Sequence, residues 1–122
     1  MILYFSMNSE IAEKVEKLKK YFETRSDILM AFLFGSYAKG QIHSHSDIDI
    51  AVYFKPKEKG IEFEETKEYE GESTLWSEIE KILNMDADMV VLNRAGSALA
   101  LSIISEGQPL VIKDQKYFAK FR

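Results

Sequence analysis

The chain contains no cysteine in its 122 residues, which excludes a disulfide scaffold and thiolate metal sites and is compatible with a reducing compartment. Histidine is nearly absent as well. The two that occur, His43 and His45, do not make a zinc centre with Asp47, because a closed zinc site normally needs four well-spaced ligands. No run approaches the roughly 20 apolar residues needed to span a bilayer. The opening Met1-Ile2-Leu3-Tyr4-Phe5 is shorter than a signal core, has no basic stretch ahead of it and gives way at once to polar residues. These absences lead us to expect a cytoplasmic protein with no membrane partner. Positive charge is also in deficit: 16 Lys and Arg against 20 Asp and Glu leave a formal net charge of -4. Such a surface repels a polyphosphate backbone, so direct binding of long nucleic acid is not expected.

What is present is enough for one core. Hydrophobic residues make up 46% of the chain, and its length suits a single domain. We expect one domain over 1–122, with 1–8 as an N-terminal extension and 55–72 as a charged loop. Ile11, Val15, Leu18 and Phe22 recur at steps of three and four, which predicts an amphipathic helix over Glu10 to Glu23 capped by Ser9. Ile28 to Phe34 is continuously apolar and stops at Gly35-Ser36, as a strand buried on both faces would. A short helix and then a strand from Asp47 to Phe54 are expected next. Leu75, Trp76, Ile79, Ile82 and Leu83 have helical spacing behind caps at Ser73 or Thr74, with Trp76 read as core. Asp88 to Leu92 reads as a third strand, Ala98 to Glu106 as a last helix closed by Gly107, and Pro109 to Ile112 as a final strand. The fold class expected is α/β, a single small domain with a mixed sheet flanked by helices.

The chemistry concentrates where strands meet turns. Alternate side chains of a strand share a face, so Asp47 and Asp49 project together, with Cα atoms about 6.5 to 7 Å apart. Two such carboxylates repel each other unless a proton or a cation intervenes, and hard divalent cations favour oxygen donors of this kind. Gly35-Ser36, where a buried strand turns, can aim backbone N–H groups and a hydroxyl at a phosphate chain. Together these features suit phosphoryl or nucleotidyl transfer, in which positioning and charge neutralisation do most of the catalysis.

Gly35-Ser36, ten intervening residues and Asp47-Ile48-Asp49 resemble the signature of the DNA polymerase β-type nucleotidyltransferase superfamily. The surroundings, Phe34 to Gly40 and Ser46 to Val52, resemble its small MNT (minimal nucleotidyltransferase) members, and the likeness continues through Asp88-Met89-Val90-Val91-Leu92-Asn93 to the last helix. It covers nearly the whole chain except the charged loop. The resemblance implies a palm-like nucleotidyltransferase fold and a nucleoside triphosphate, ATP, held on two Mg2+ ions. Asp47, Asp49 and Asp88 would be the metal ligands and catalytic acids, Asp88 also assisting the attacking hydroxyl, and Gly35, Ser36, Lys39 and Ser46 would hold the nucleotide. Members of this size are often paired, as antitoxins, with a HEPN-domain toxin. The resemblance then implies transfer of AMP from ATP to a tyrosine of that HEPN ribonuclease.

Some residues stay open to two readings. Asp86, two places before Asp88, competes with it for the third acid's role. Lys39 and Arg94 are either phosphate contacts or solvated cations, and Tyr37 either packs or lines the nucleotide pocket. Two other functions compete with the enzyme acting on a protein. One is a non-catalytic, nucleotide-binding antitoxin that inhibits its partner by complex formation; presence of all three acids argues against it. The other is a small-molecule transferase of the antibiotic-modifying type, which lacks an acceptor domain here unless a homo- or hetero-oligomer builds one.

Overall fold

A computed structural model of the chain describes residues 9–35, 47–56, 69 and 71–115. Its elements run α1 (Ser9–Thr24), β1 (Ile28–Phe34), β2 (Ile48–Phe54), α2 (Glu72–Leu83), β3 (Ala87–Val91), a 3-10 turn (Leu92–Arg94), α3 (Ser97–Glu106) and β4 (Gln108–Ile112). The short helix expected between β1 and β2 lies outside the described residues, as does most of the charged stretch. Glu72, assigned from sequence to the end of that stretch, is instead the first residue of α2 and is buried.

The four strands form one mixed sheet in the order β3-β2-β1-β4. β1 is antiparallel to both β2 and β4, and β2 is parallel to β3, with α2 making the crossover between them. β1 is central and apolar throughout because both of its faces are covered. Ala31 and Leu33 join Ile50, Val52, Met89 and Val91 against Val15, Leu18 and Phe22 of α1 and Leu75, Ile79 and Leu83 of α2. Met30 and Phe32 join Ala51 and Tyr53 against Ala100, Ile103 and Ile104 of α3. Two helices thus pack on one face and one on the other. Each buried leucine or phenylalanine of these layers contributes roughly 1.5 to 3 kcal/mol by leaving water.

Local details differ from the sequence reading in instructive ways. α2 is not capped by Ser73 or Thr74, which fall inside its first turn; Gly71, at φ 81, holds the cap position with no side-chain bond. Gly107 does close α3, but its φ of -82 is ordinary. Its lack of a side chain matters for space, since a Cβ there would stand 2.6 Å from the Ile103 carbonyl and 2.9 Å from that of Leu33. Pro109 sits on β4, an edge strand, where a missing N–H costs least. Among the described residues, no helix is long and apolar enough to cross a membrane.

Candidate active site

β1 ends and β2 begins at the same edge of the sheet because they are antiparallel, and β3 begins beside β2 because those two are parallel. Phe34 pairs with Asp49 on one side, and Asp49 pairs with Asp88 on the other. Neighbouring strands lie about 4.8 Å apart, so the two acids stand side by side. Asp49 shares its face with Ala51 and Tyr53, the face that α3 covers, and Asp47 lies one residue ahead of the strand, near enough for its charge to act on Asp49. Asp86 precedes β3, its carbonyl accepting from the Ile48 N–H at 3.4 Å, so the register aligns Asp88 rather than Asp86 with Asp49.

The charges of the other two acids reach Asp49. The Asp49 carboxyl is held above the usual carboxylate range, first by burial and then by the charges of Asp88 and Asp47. Among the described residues none of the three forms an ion pair. Nor do three metal-ligating side chains converge there closely enough to enclose an ion by themselves. Open, crowded oxygen donors of this kind still fit magnesium, which takes one or two protein carboxylates and completes its shell with water and phosphate oxygens.

Gly35 follows β1 directly, and its place explains its identity. Its φ is +74, and a Cβ built on it would stand 2.1 Å from Oδ2 of Asp49. Any side chain here would displace the Asp49 carboxylate. The sequence assigned Gly35 to close approach of a ligand; the close approach seen is to Asp49 itself. Ser36, Lys39 and Ser46, together with Tyr37, His43 and His45, lie outside the described residues.

One open reading is closed and another is corrected. Arg94 is not near the acids: it follows β3 at the opposite end of the sheet, where its guanidinium forms a two-pronged pair with buried Glu72, one contact at 2.9 Å. Next to it, Asn93 receives the Phe54 N–H at 2.8 Å and donates back to the Phe54 carbonyl at 2.9 Å. Arg94 therefore ties the far end of β3 to the start of α2. Trp76 is not core either, being 37% exposed. Leu75, Ile79 and Leu83 take the inward face of α2, and the next residue along turns roughly 100° away from it. Its indole N–H donates to the Ala87 carbonyl at 2.8 Å, and the Ala87 N–H donates to Glu80 Oε2 at 2.9 Å. Sequence reading missed both contacts, since nothing in helical spacing reveals a bond to a strand backbone.

A cavity lined by Arg25, Asp27, Phe54, Lys55, Pro56, Tyr69 and Gly71 also lies at the end of the sheet away from the acids. Its Arg25 is already paired with Asp27 at 2.7 Å, so it offers no rival centre for the chemistry.

Comparison with known proteins agrees with this geometry. A Methanocaldococcus jannaschii protein provisionally named a protein adenylyltransferase is 34% identical over 85 residues, 70% of this chain and 88% of that protein. The protein adenylyltransferase MntA of Thermococcus cleftensis is 28% identical over 98 residues, 77% of this chain and 90% of its own. A crystal structure of a toxin-antitoxin with AMP-PNP superimposes with a TM-score of 0.64 and 26% identity, covering 88% of this chain and 79% of that one. Residues 16–116 match the family described as Polymerase beta, Nucleotidyltransferase, and with that span, this sheet and these paired acids the chain belongs to that family.

Proposed function

We propose that this nucleotidyltransferase is a magnesium-dependent antitoxin that transfers AMP from ATP to a tyrosine hydroxyl of a cognate HEPN-domain toxin. The observation that carries the reading is the placement of Asp49 between Gly35 and Asp88, three strand ends brought to one point. The relatives named protein adenylyltransferases and the toxin-antitoxin neighbour with AMP-PNP support the donor and the kind of partner. An acidic domain with a net charge of -4 also suits a protein acceptor better than a nucleic acid.

In the proposed reaction the tyrosine oxygen attacks the α-phosphorus, the bond to the β-phosphate oxygen breaks, and pyrophosphate leaves. Asp47, Asp49 and Asp88 would hold two magnesium ions, and Asp88, at the start of an edge strand, would take the hydroxyl proton. Bound magnesium supplies charge neutralisation for the triphosphate and its leaving group. Gly35 leaves room for the Asp49 carboxylate, while Ser36, Lys39 and Ser46 are assigned to the nucleotide. The single domain proposed spans 1–122 and carries the three acids at one end of its sheet.

The test is the intact mass of the cognate HEPN protein after incubation with this chain, ATP and magnesium, beside an Asp47→Asn/Asp49→Asn control. A gain of one or more AMP units, absent from the control, is expected. A stable complex with no mass gain would replace this reading with inhibition by covering.

A further inference from the structure

Ala87 is the first residue of β3, an edge strand, and precedes Asp88. In a parallel pair the backbone groups of alternate residues point toward the neighbouring strand and away from it. The Asp86 carbonyl bonds the Ile48 N–H, so residues 86 and 88 face β2 and both polar groups of Ala87 face outward. An outward edge normally belongs to water. Here α2 takes both groups: Trp76 donates to the carbonyl at 2.8 Å, and Glu80, one helical turn on, accepts from the N–H at 2.9 Å. Only Asn84, Met85 and Asp86 connect α2 to β3, and Asn84 adopts a left-handed φ of 54 to make that turn. The connection is short enough to bring the last turns of the helix against the strand it feeds.

We infer that Trp76 and Glu80 are positioning residues, a clamp that fixes the peptide carrying Asp88 and thereby sets the Asp49–Asp88 pair for its ligand. This rests on the reading of Asp88 as a working acid. Ala87 is 4% exposed, and both of its outward groups are engaged, one by a charged acceptor, which gives the stronger kind of hydrogen bond. Without the clamp the strand start is held on one side only, by β2, and Asp88 gains freedom exactly where a metal-phosphate site needs order. Neither Trp76 nor Glu80 touches substrate in this account; they act through Asp88.

The experiment uses the full chain with Trp76→Phe, which keeps a ring and removes the N–H; Glu80→Ala, which removes the acceptor; and Glu80→Gln, which restores one. Glu78→Ala on the same helix is the control. Two quantities are measured on each variant: Mn2+ half-saturation with the non-cleavable α,β-methylene analogue of ATP, by electron paramagnetic resonance, and kcat for AMP transfer to the HEPN partner. Trp76→Phe and Glu80→Ala are expected to raise the Mn2+ half-saturation at least threefold and lower kcat about tenfold, the scale seen when supports of metal ligands are lost. KM for ATP should move less than kcat, Glu80→Gln should recover most of the loss, and Glu78→Ala should match the parent. Parent-like Mn2+ binding and kcat in folded Trp76→Phe and Glu80→Ala, with transfer abolished in Asp88→Asn, would overturn the clamp and leave the role of Asp88 standing. Parent-like transfer in Asp88→Asn would overturn both. Should Trp76→Phe unfold, the contrast between Glu80→Ala and Glu80→Gln decides alone.

Discussion

Asp49 stands between a glycine on one side and an acid on the other. Burial and two neighbouring charges oppose its ionised form, an opposition that a bound cation would relieve. Asp49→Asn removes that opposition. In metal-free buffer at neutral pH its melting temperature is expected to rise by a few degrees, on the order of 1 kcal/mol or less because the site is partly solvated. Transfer should fall by roughly a thousandfold or more, since several kcal/mol of charge stabilisation would go with the ligand. Unchanged turnover would remove Asp49 from the machinery. Gly35→Ala should fail for a different reason. The left-handed backbone alone costs a non-glycine residue about 1 to 2 kcal/mol, and the new methyl group must also push Oδ2 of Asp49 from its place. Thermal melts and transfer rates should both fall, and part of the stability loss should vanish in the Asp49→Ala background, where nothing remains to collide.

At the scale of elements, the two ends of the sheet divide the labour. Among the described residues the acid end gathers carboxylates without ion pairs, while the other end is locked by the Arg94–Glu72 pair and by Asn93 on the Phe54 backbone. Arg94 and the Tyr69 N–H hold Glu72 below the usual glutamate range against the opposing effect of burial. A carboxyl lowered on folding contributes stability that is fully present above its unfolded value, about 4.3, and is lost as pH falls through its lower folded value. Glu72→Gln should therefore melt earlier than the parent at pH 7, and the gap should close as the pH drops below 4. A constant gap across that range would mean the charge is not what matters. Arg94→Ala leaves a buried carboxylate without its cation, held only by the Tyr69 N–H, and should cost about 2 kcal/mol, below the 3 to 5 typical of fully buried pairs because Arg94 is partly exposed. The transfer rate per folded molecule should stay near the parent's, the opposite of what a phosphate contact would give.

At the scale of the whole fold, the described residues place two helices on one face and one on the other of a sheet that presents its acids at one end. A ligand that binds only the folded frame stabilises it by RT ln(1 + [L]/Kd), about 2.7 kcal/mol at a hundredfold excess over Kd. Magnesium with the α,β-methylene analogue of ATP should raise the melting temperature of the parent, and chelation should cancel the rise. The same additions should leave Asp47→Asn/Asp49→Asn unmoved; a rise in that variant would place the triphosphate elsewhere.

Much of this was legible in the chain. The apolar run of β1 and the period of α1 and α2 are local patterns, each fixed by the geometry of one element, and both stand in the fold, whereas Asp47, expected on the strand with Asp49, falls one residue ahead of it. The resemblance pointed to Asp88 rather than Asp86, and no local pattern separates the two; that Asp88 lies beside Asp49 depends on the parallel register of β3 on β2, which follows from where α2 delivers the chain. Trp76 was misread and Arg94 left open for the same reason: a side chain's partner across some 22 residues, as in Arg94–Glu72, is set by packing and not by spacing. Sequence alone determined which residues could carry the chemistry, because strand alternation and turn residues are properties of neighbours. Only the tertiary structure decided which of them meet, because strand order and register are settled by burying both faces of one sheet at once.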